Sequence, residues 1–242
     1  MRSIARPQAP QSWDAGAAAQ DLAVRYGDLA APDLLRHMIE REFPGRIAVV
    51  SSFGAESAVI LTLVAAVDPA TPVIFLDTGK HFSATLTYRD ILMDRLKLTD
   101  VRSIEPDPLQ LAEHDPVGGP EDELWQRDSG FCCHLRKVLP LERALEGFPA
   151  WITGRKRFHG GERSALTTVE AVDGRVKINP LARWTPVEVA AAFRAHRLPP
   201  HPLVDEGYPS IGCAPCTRPV AIGEAVRAGR WVGLEKTECG IH

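Results

Sequence analysis

Apolar residues recur at helical spacing through residues 21–43 (DLAVRYGDLAAPDLLRHMIEREF), and Pro32 interrupts them, so a helix with a break near Ala31–Pro32 is predicted. The period then changes. RIAVVSS (46–52) is a short apolar run of strand length, and SAVILTLVAAV (57–67) is apolar almost all round, as a largely buried helix must be. PVIFLDT (72–78) reads as a second strand, residues 84–96 as a helix, and Val101–Ile104 as a third strand. Strands and helices alternating at this spacing call for a mostly parallel sheet covered by helices on both faces.

The second half is less regular. Residues 115–131 (DPVGGPEDELWQRDSGF) are polar and rich in Gly and Pro, which predicts a surface loop or lid. KVLPLERAL (137–145) reads as a helix and WITG (151–154) as a further strand. In TTVEAVDGRVKINPL (167–181), Asp173–Gly174 separates two alternating runs, which is a hairpin signal. Thr185, Pro186 and Glu188 supply an N-cap, a first-turn proline and a capping-box acid for a helix reaching His196. The stretch after it, PPHPLVDEGYPSIGCAPCTRPV, is loop-rich. The chain is expected to divide into a flexible arm (1–20), an α/β domain (21–226) and a C-terminal tail (227–242).

Composition narrows the function classes. With 45% hydrophobic and 24% charged residues, the 242-residue chain has the make-up of a soluble globular protein. It has no apolar run of membrane-spanning length, and its first residues lack the apolar centre of a secretion signal, so a cytoplasmic protein with no membrane partner is expected. Stable disulfides are then unexpected, and the five cysteines point to metal binding or catalysis. A net charge of -3 argues against nucleic acid as a partner. Any bound anion must be held by local basic clusters.

Three constellations carry chemistry. SSFGAES (51–57) sits where a strand runs into a helix, and Ser51, Ser52, Gly54 and Ser57 there offer hydroxyls, free backbone N–H groups and the positive end of a helix to an anion. It is not a Walker A loop. In LDTGKHF (76–82), Asp77 and Thr78 end the next strand, again at the carboxyl edge where parallel sheets bind ligands. The second constellation is Cys132–Cys133 with Cys213-x-x-Cys216, a four-thiolate set. Adjacent cysteines fit one tetrahedral zinc poorly, whereas neighbours can each take a different iron of a cluster, so geometry favours a cluster; buried thiols without metal are the alternative. The third is basic: Lys137, GRKRFHGGERS (154–164), Arg227 and Arg230, with Gly154, Gly160, Gly161 and Gly229 letting guanidinium and backbone approach an oxyanion together. Lys156 and Arg157, taken singly, read as solvated surface. Cys239 is left over on the tail, where Glu238 disfavours its thiolate and Lys236 and His242 favour it.

Together SSFGAES, LDTGKHF, the CC…CxxC set, GYPSIGCAPCT and the terminal KTECGIH resemble the assimilatory sulfonucleotide reductases, in particular the bacterial adenylylsulfate (APS) reductases of iron–sulfur type. The resemblance runs from Ile47 to His242; the family's tail commonly reads ECGLH, and Ile241 departs from it. It implies a Rossmann-like, adenine nucleotide alpha hydrolase-like (PP-loop) fold with a mobile C-terminal tail, and a [4Fe-4S] cluster on Cys132, Cys133, Cys213 and Cys216. It implies that the loop from Ser51 to Ser57, with Phe53 and Glu56, holds the nucleotide, and that Lys137, Arg163, Arg227, Arg230 and His242 surround the phosphosulfate. Cys239 would attack its sulfur, and thioredoxin or glutaredoxin, a separate protein because no thioredoxin-like domain follows the tail, would release sulfite. A homo-oligomer is left open. Three rivals differ in what they predict: a 3′-phosphoadenylylsulfate (PAPS) reductase would prefer the phosphorylated nucleotide; a PP-loop ATP pyrophosphatase would show SGGxDS, where this chain has Phe53, Ala55 and Glu56; an iron–sulfur sensor would not consume APS.

Overall fold

The structure, a computed structural model, describes residues 13–116, 123–234 and 236–241. Most of the expected arm, together with His242, lies outside these residues. Helix α1 (Ala15–Tyr26) begins before the predicted start because Asp14 caps it, its carboxylate accepting from the Ala17 N–H at 3.0 Å. The predicted break is present: α2 (Ala31–His37) restarts with Pro32 in its first turn and runs into a π-helical turn, Met38–Glu42.

The alternating half then folds as its pattern requires: β1 (Ile47–Val50), α3 (Ser57–Ala65), β2 (Val73–Leu76), α4 (Ser83–Leu96) and β3 (Val101–Ile104). Helices α5 (Pro108–His114), α6 (Leu124–Arg127), α7 (Ser129–Cys133) and α8 (Leu139–Ala144) follow, the last two joined by a π-helical turn over His134–Val138. Then come β4 (Ala150–Thr153), the hairpin β5 (Val169–Val172) and β6 (Arg175–Ile178), and α9 (Pro186–Ala195) with the capping box in place. Asp173 and Gly174 both have positive φ (49° and 73°), the type I′ geometry that matches strand twist.

The sheet order is β3-β2-β1-β4-β6-β5, parallel throughout except for β5 against β6. Strand alternation sorts the two cores. Ile47, Val49 and Ile152 face a large cluster with α1, α2, α3 and α9, whereas Ala48, Leu76 and Trp151 face a smaller one with Leu141 and Leu145 of the α8 region. Among the described residues no helix is long and apolar enough to cross a membrane.

Two boundaries differ from expectation. Residues 117–122 of the predicted loop lie outside the described residues; the described part of 115–131 carries α6 and the start of α7, and the helix predicted from 137 begins at Ser129. Two of the polar residues that suggested solvent are caps instead: Asp128 accepts from Phe131 N–H at 2.8 Å, and buried Asp115 accepts from Leu124 N–H at 2.9 Å while pairing with Arg136.

Candidate active site

Strand order reverses direction between β1 and β4, and in open parallel sheets that switch point is where the carboxyl ends part to leave a crevice. A pocket of about 190 Å³ occupies it. Ser51, Ser52, Gly54, Glu56 and Ser57 line it from the loop after β1, and Thr153, Gly154, Arg155 and Lys156 from the end of β4. Gly154 must be small, since a Cβ there would lie 3.0 Å from Ile60 on α3. Phe53 is held at φ 47° with its ring buried edge-on to Phe75, so it shapes the loop from beneath and does not line the pocket.

Glu56 organises this wall. It pairs with Lys156 at 2.8 Å and with His159 at 3.1 Å. Burial pushes its carboxyl up, but the His159 and Lys156 contacts outweigh that and bring it down to about 2. Lys156 is therefore a buried ion-pair partner, not the solvated side chain the sequence suggested; Arg157 is exposed as expected.

The opposite wall comes from the long helix and the C-terminal segment. Lys137, in the π-helical turn, and Arg163, Arg227, Arg230, Trp231, Glu238 and Cys239 all reach the same pocket. Cys239 is 8% exposed, so the tail lies docked rather than loose. Glu238 holds it there: Arg163 donates to both carboxylate oxygens, at 2.5 and 2.9 Å, and Arg227 lies 3.4 Å away. Arg227 also donates to the Thr237 carbonyl at 2.7 Å, and Lys236 to the Ser129 carbonyl at 2.7 Å. Burial and the neighbouring Arg163 bring the Arg227 guanidinium down to about 10.

Arg230 depends on glycine. A Cβ on residue 212 would sit 2.2 Å from its guanidinium and displace it, so glycine there lets the cation take this position, 4.4 Å over the Trp231 ring. Burial would neutralise Lys137, but the sulfurs of Cys213, Cys239 and Cys133 outweigh it and raise its affinity for the proton. Lys137 lines both the pocket that holds Cys239 and the cavity of the other four cysteines.

Cys132, Cys133, Cys213 and Cys216 line a second, adjoining cavity with Arg136, Lys137 and Trp231. No cysteine is in a disulfide. Among the described residues no three His, Cys, Asp or Glu side chains converge tightly enough for a single metal ion. Four soft thiols around one cavity, with three cations (Lys80, Arg136 and Lys137) in its wall to offset thiolate charge, fit a multi-iron cluster. Asp77 and Thr78, expected at the nucleotide, do not line the pocket: Asp77 accepts from Gly79 N–H at 3.1 Å, and the Thr78 hydroxyl lies 3.3 Å from the Cys213 sulfur. His242 lies outside the described residues. Sequence reasoning included Arg155 and His159 only within the basic stretch 154–164 without singling them out, and it missed Trp151 and Glu238 as lining residues; the placement of Arg155 just past a strand at the switch point was the usable signal.

Comparison with known proteins decides the family. The phosphoadenosine phosphosulfate reductase domain matches residues 46–219. The chain belongs to this family. It is 49% identical to an adenosine 5′-phosphosulfate reductase of Chelativorans sp. strain BNC1 over 96% of this chain and 94% of that protein. It is 39% identical to a phosphoadenosine 5′-phosphosulfate reductase of Gloeobacter violaceus over 92% of each. A crystal structure of the PAPS reductase from Candida auris, in a phosphate complex, superposes with a TM-score of 0.68 at 25% identity, covering 90% of this chain and 100% of that one. The fold expected of this reductase family, adenine nucleotide alpha hydrolase-like with a mostly parallel sheet, is the one observed.

Proposed function

We propose that this reductase converts APS to sulfite and AMP through Cys239, using a dithiol protein as reductant. The observation that carries the reading is the docking of Cys239 in the switch-point pocket beside Lys137 and Arg230, separate from the cavity of the other four cysteines. The Cys239 thiolate attacks the sulfur of the phosphosulfate; an S–S bond forms, the S–O bond breaks, and AMP leaves with the bridging oxygen and its electron pair. Lys137 and Arg230 offset the charge that grows on that oxygen. A thiolate of thioredoxin or glutaredoxin then attacks the Cys239 sulfur, sulfite leaves, and the carrier's second thiol resolves the mixed disulfide. The carrier loses the two electrons that the sulfonate sulfur gains, and Cys239 returns as thiolate. Cys132, Cys133, Cys213 and Cys216 would hold a [4Fe-4S] cluster, whose bound form supplies a fixed local charge beside Lys137.

The test is anaerobic incubation with APS followed by peptide mass spectrometry. A sulfonate on Cys239 is expected, and Cys239→Ser is expected to release no sulfite; wild-type turnover by that variant would sink the proposal. The relative named for PAPS favours testing that nucleotide in parallel, with faster sulfite release from APS expected.

A further inference from the structure

Beyond Lys156, which Glu56 pairs, the lysines and arginines of the pocket fall into two sets that the sequence does not separate. Arg163 and Arg227 share one carboxylate, Glu238, the residue immediately before Cys239. Lys137, Arg155 and Arg230 have no carboxylate within ion-pair distance among the described residues, although Lys137 and Arg155 are more than nine-tenths buried and Arg230 is partly buried. The Nε atoms of Arg155 and Arg230 also lack a hydrogen-bond partner there. A buried cation with no counter-ion is costly to the fold, which is tolerable where an anionic ligand completes it. A bidentate guanidinium–carboxylate pair is among the stronger polar contacts and fixes orientation as well as distance.

We propose that Glu238 is the positioning residue of the tail. Gripped by Arg163 and Arg227, it docks Cys239 in the pocket before substrate arrives, and it leaves Lys137, Arg155 and Arg230 to meet the phosphosulfate. The proposal rests on Cys239 being the nucleophile. Arg163 and Arg227, which the resemblance assigns to the substrate, also hold the tail in the nucleotide-free protein. Arg155, which the resemblance does not assign, becomes a substrate-binding residue. The neighbouring contacts agree: Thr237 donates to Glu162 at 3.2 Å, and a side chain on Gly240, at φ 81°, would press on Val138, so the tail backbone is shaped to its seat on both sides of Glu238.

The experiment uses cluster-loaded full-length protein under anaerobic conditions and follows alkylation of Cys239 by iodoacetamide, read on its own peptide. Without nucleotide, Glu238→Gln is expected to raise the alkylation rate roughly tenfold or more, because a charged hydrogen-bonded pair is lost. Arg163→Lys, which keeps charge but loses the two-pronged grip, is expected to raise it less, and the double variant no further than Glu238→Gln alone. With APS, Glu238→Gln is expected to slow adduct formation while leaving the APS dissociation constant within about twofold, the pattern of a residue that places the nucleophile rather than binds substrate. An unchanged alkylation rate in both variants, or an APS affinity that falls as far as the adduct rate, would overturn the assignment. If wild-type protein forms no adduct with APS, the functional reading fails, yet the nucleotide-free alkylation comparison still decides the clamp.

Discussion

The two walls of the pocket are built by different means. The β1/β4 wall is an extension of the sheet: Val49, Val50, Ile152 and Thr153 are locked in parallel register, and Val49 and Ile152 are fully buried. The loops that leave these strands inherit their precision. The wall formed by residues 209–241 has, among the described residues, no regular element beyond a 3₁₀ turn at Ala214–Cys216 and the isolated bridges His81–Cys213 and Thr217–Arg230. It is held by guanidinium grips, by Trp231 packed on Cys133 and Cys239, and by a close backbone approach that only glycine permits at residue 229. The rigid wall suits a nucleotide that must always bind the same way. On the proposed mechanism the second wall carries the sulfur that meets substrate inside and a partner outside, and local opening there need not disturb the sheet.

The largest expected difference between the walls is in stability. Ile152→Ala removes a fully buried side chain from β4 and is expected to cost about 2–5 kcal/mol in urea unfolding. Ile241→Ala, on the tail between Trp231 and the smaller core, is expected to cost less than about 1 kcal/mol, because the tail can open without global unfolding. Equal losses would mean that the tail is part of the cooperative fold and would break the comparison.

A second test exploits the unpaired cations. Arg155→Met keeps volume and removes a buried charge that has no ion-pair partner among the described residues. In nucleotide-free protein the melting temperature is expected to rise by a few degrees, roughly what ~1 kcal/mol yields in a chain of this size, while APS binds about tenfold more weakly. A fall in melting temperature would make Arg155 structural and place it with the rigid wall.

What could be read from sequence follows the same division. The periodicity of residues 46–104 located three strands and two helices, because those segments take their structure from burial, which sequence records directly. Asp173–Gly174 and the Thr185 capping box were legible because their backbone geometry is local. The CxxC with Cys132–Cys133 and the odd Cys239 stood out as candidates because thiols in such spacing have few uses, and the structure brings the four to one cavity and Cys239 to the pocket. Side chains acting across long sequence separations were not. Asp115 reads as loop until Leu124 and Arg136 meet it, Lys156 reads as surface until Glu56 is found beneath it, and Thr78 reads as a nucleotide contact until Cys213 arrives beside it. Glu238 shows this most sharply: beside Cys239 in sequence it looks like a hindrance to the thiolate, and only Arg163, 75 positions away, turns it into an anchor.

The smallest expected effect is a pH dependence that separates two carboxylates. Glu56, on the rigid wall, is drawn by His159 and Lys156 from an ordinary 4.5 to about 2 despite its burial. The unfolded chain therefore takes up a proton on Glu56 near pH 4.5, whereas the folded protein does so only near pH 2. Between those values the unfolded state binds more protons, so the contribution of Glu56, complete above pH 4.5, is lost as pH falls through this window. Glu56→Gln is expected to flatten the dependence of unfolding free energy on pH between 4.5 and 2, and to lower stability at neutral pH by stranding Lys156. Glu238 is also held below its usual value, against burial, by the hydrogen bonds and charge of Arg163. Its grip, however, belongs to the tail, and release of the tail precedes unfolding. Glu238→Gln should therefore leave the global acid limb unchanged while the Cys239 alkylation rate of the wild-type protein, corrected for thiolate fraction, climbs toward that of the variant as pH drops. Should Glu238→Gln flatten the acid limb as much as Glu56→Gln does, the tail would be bearing on the fold as a whole, and the two walls would be one.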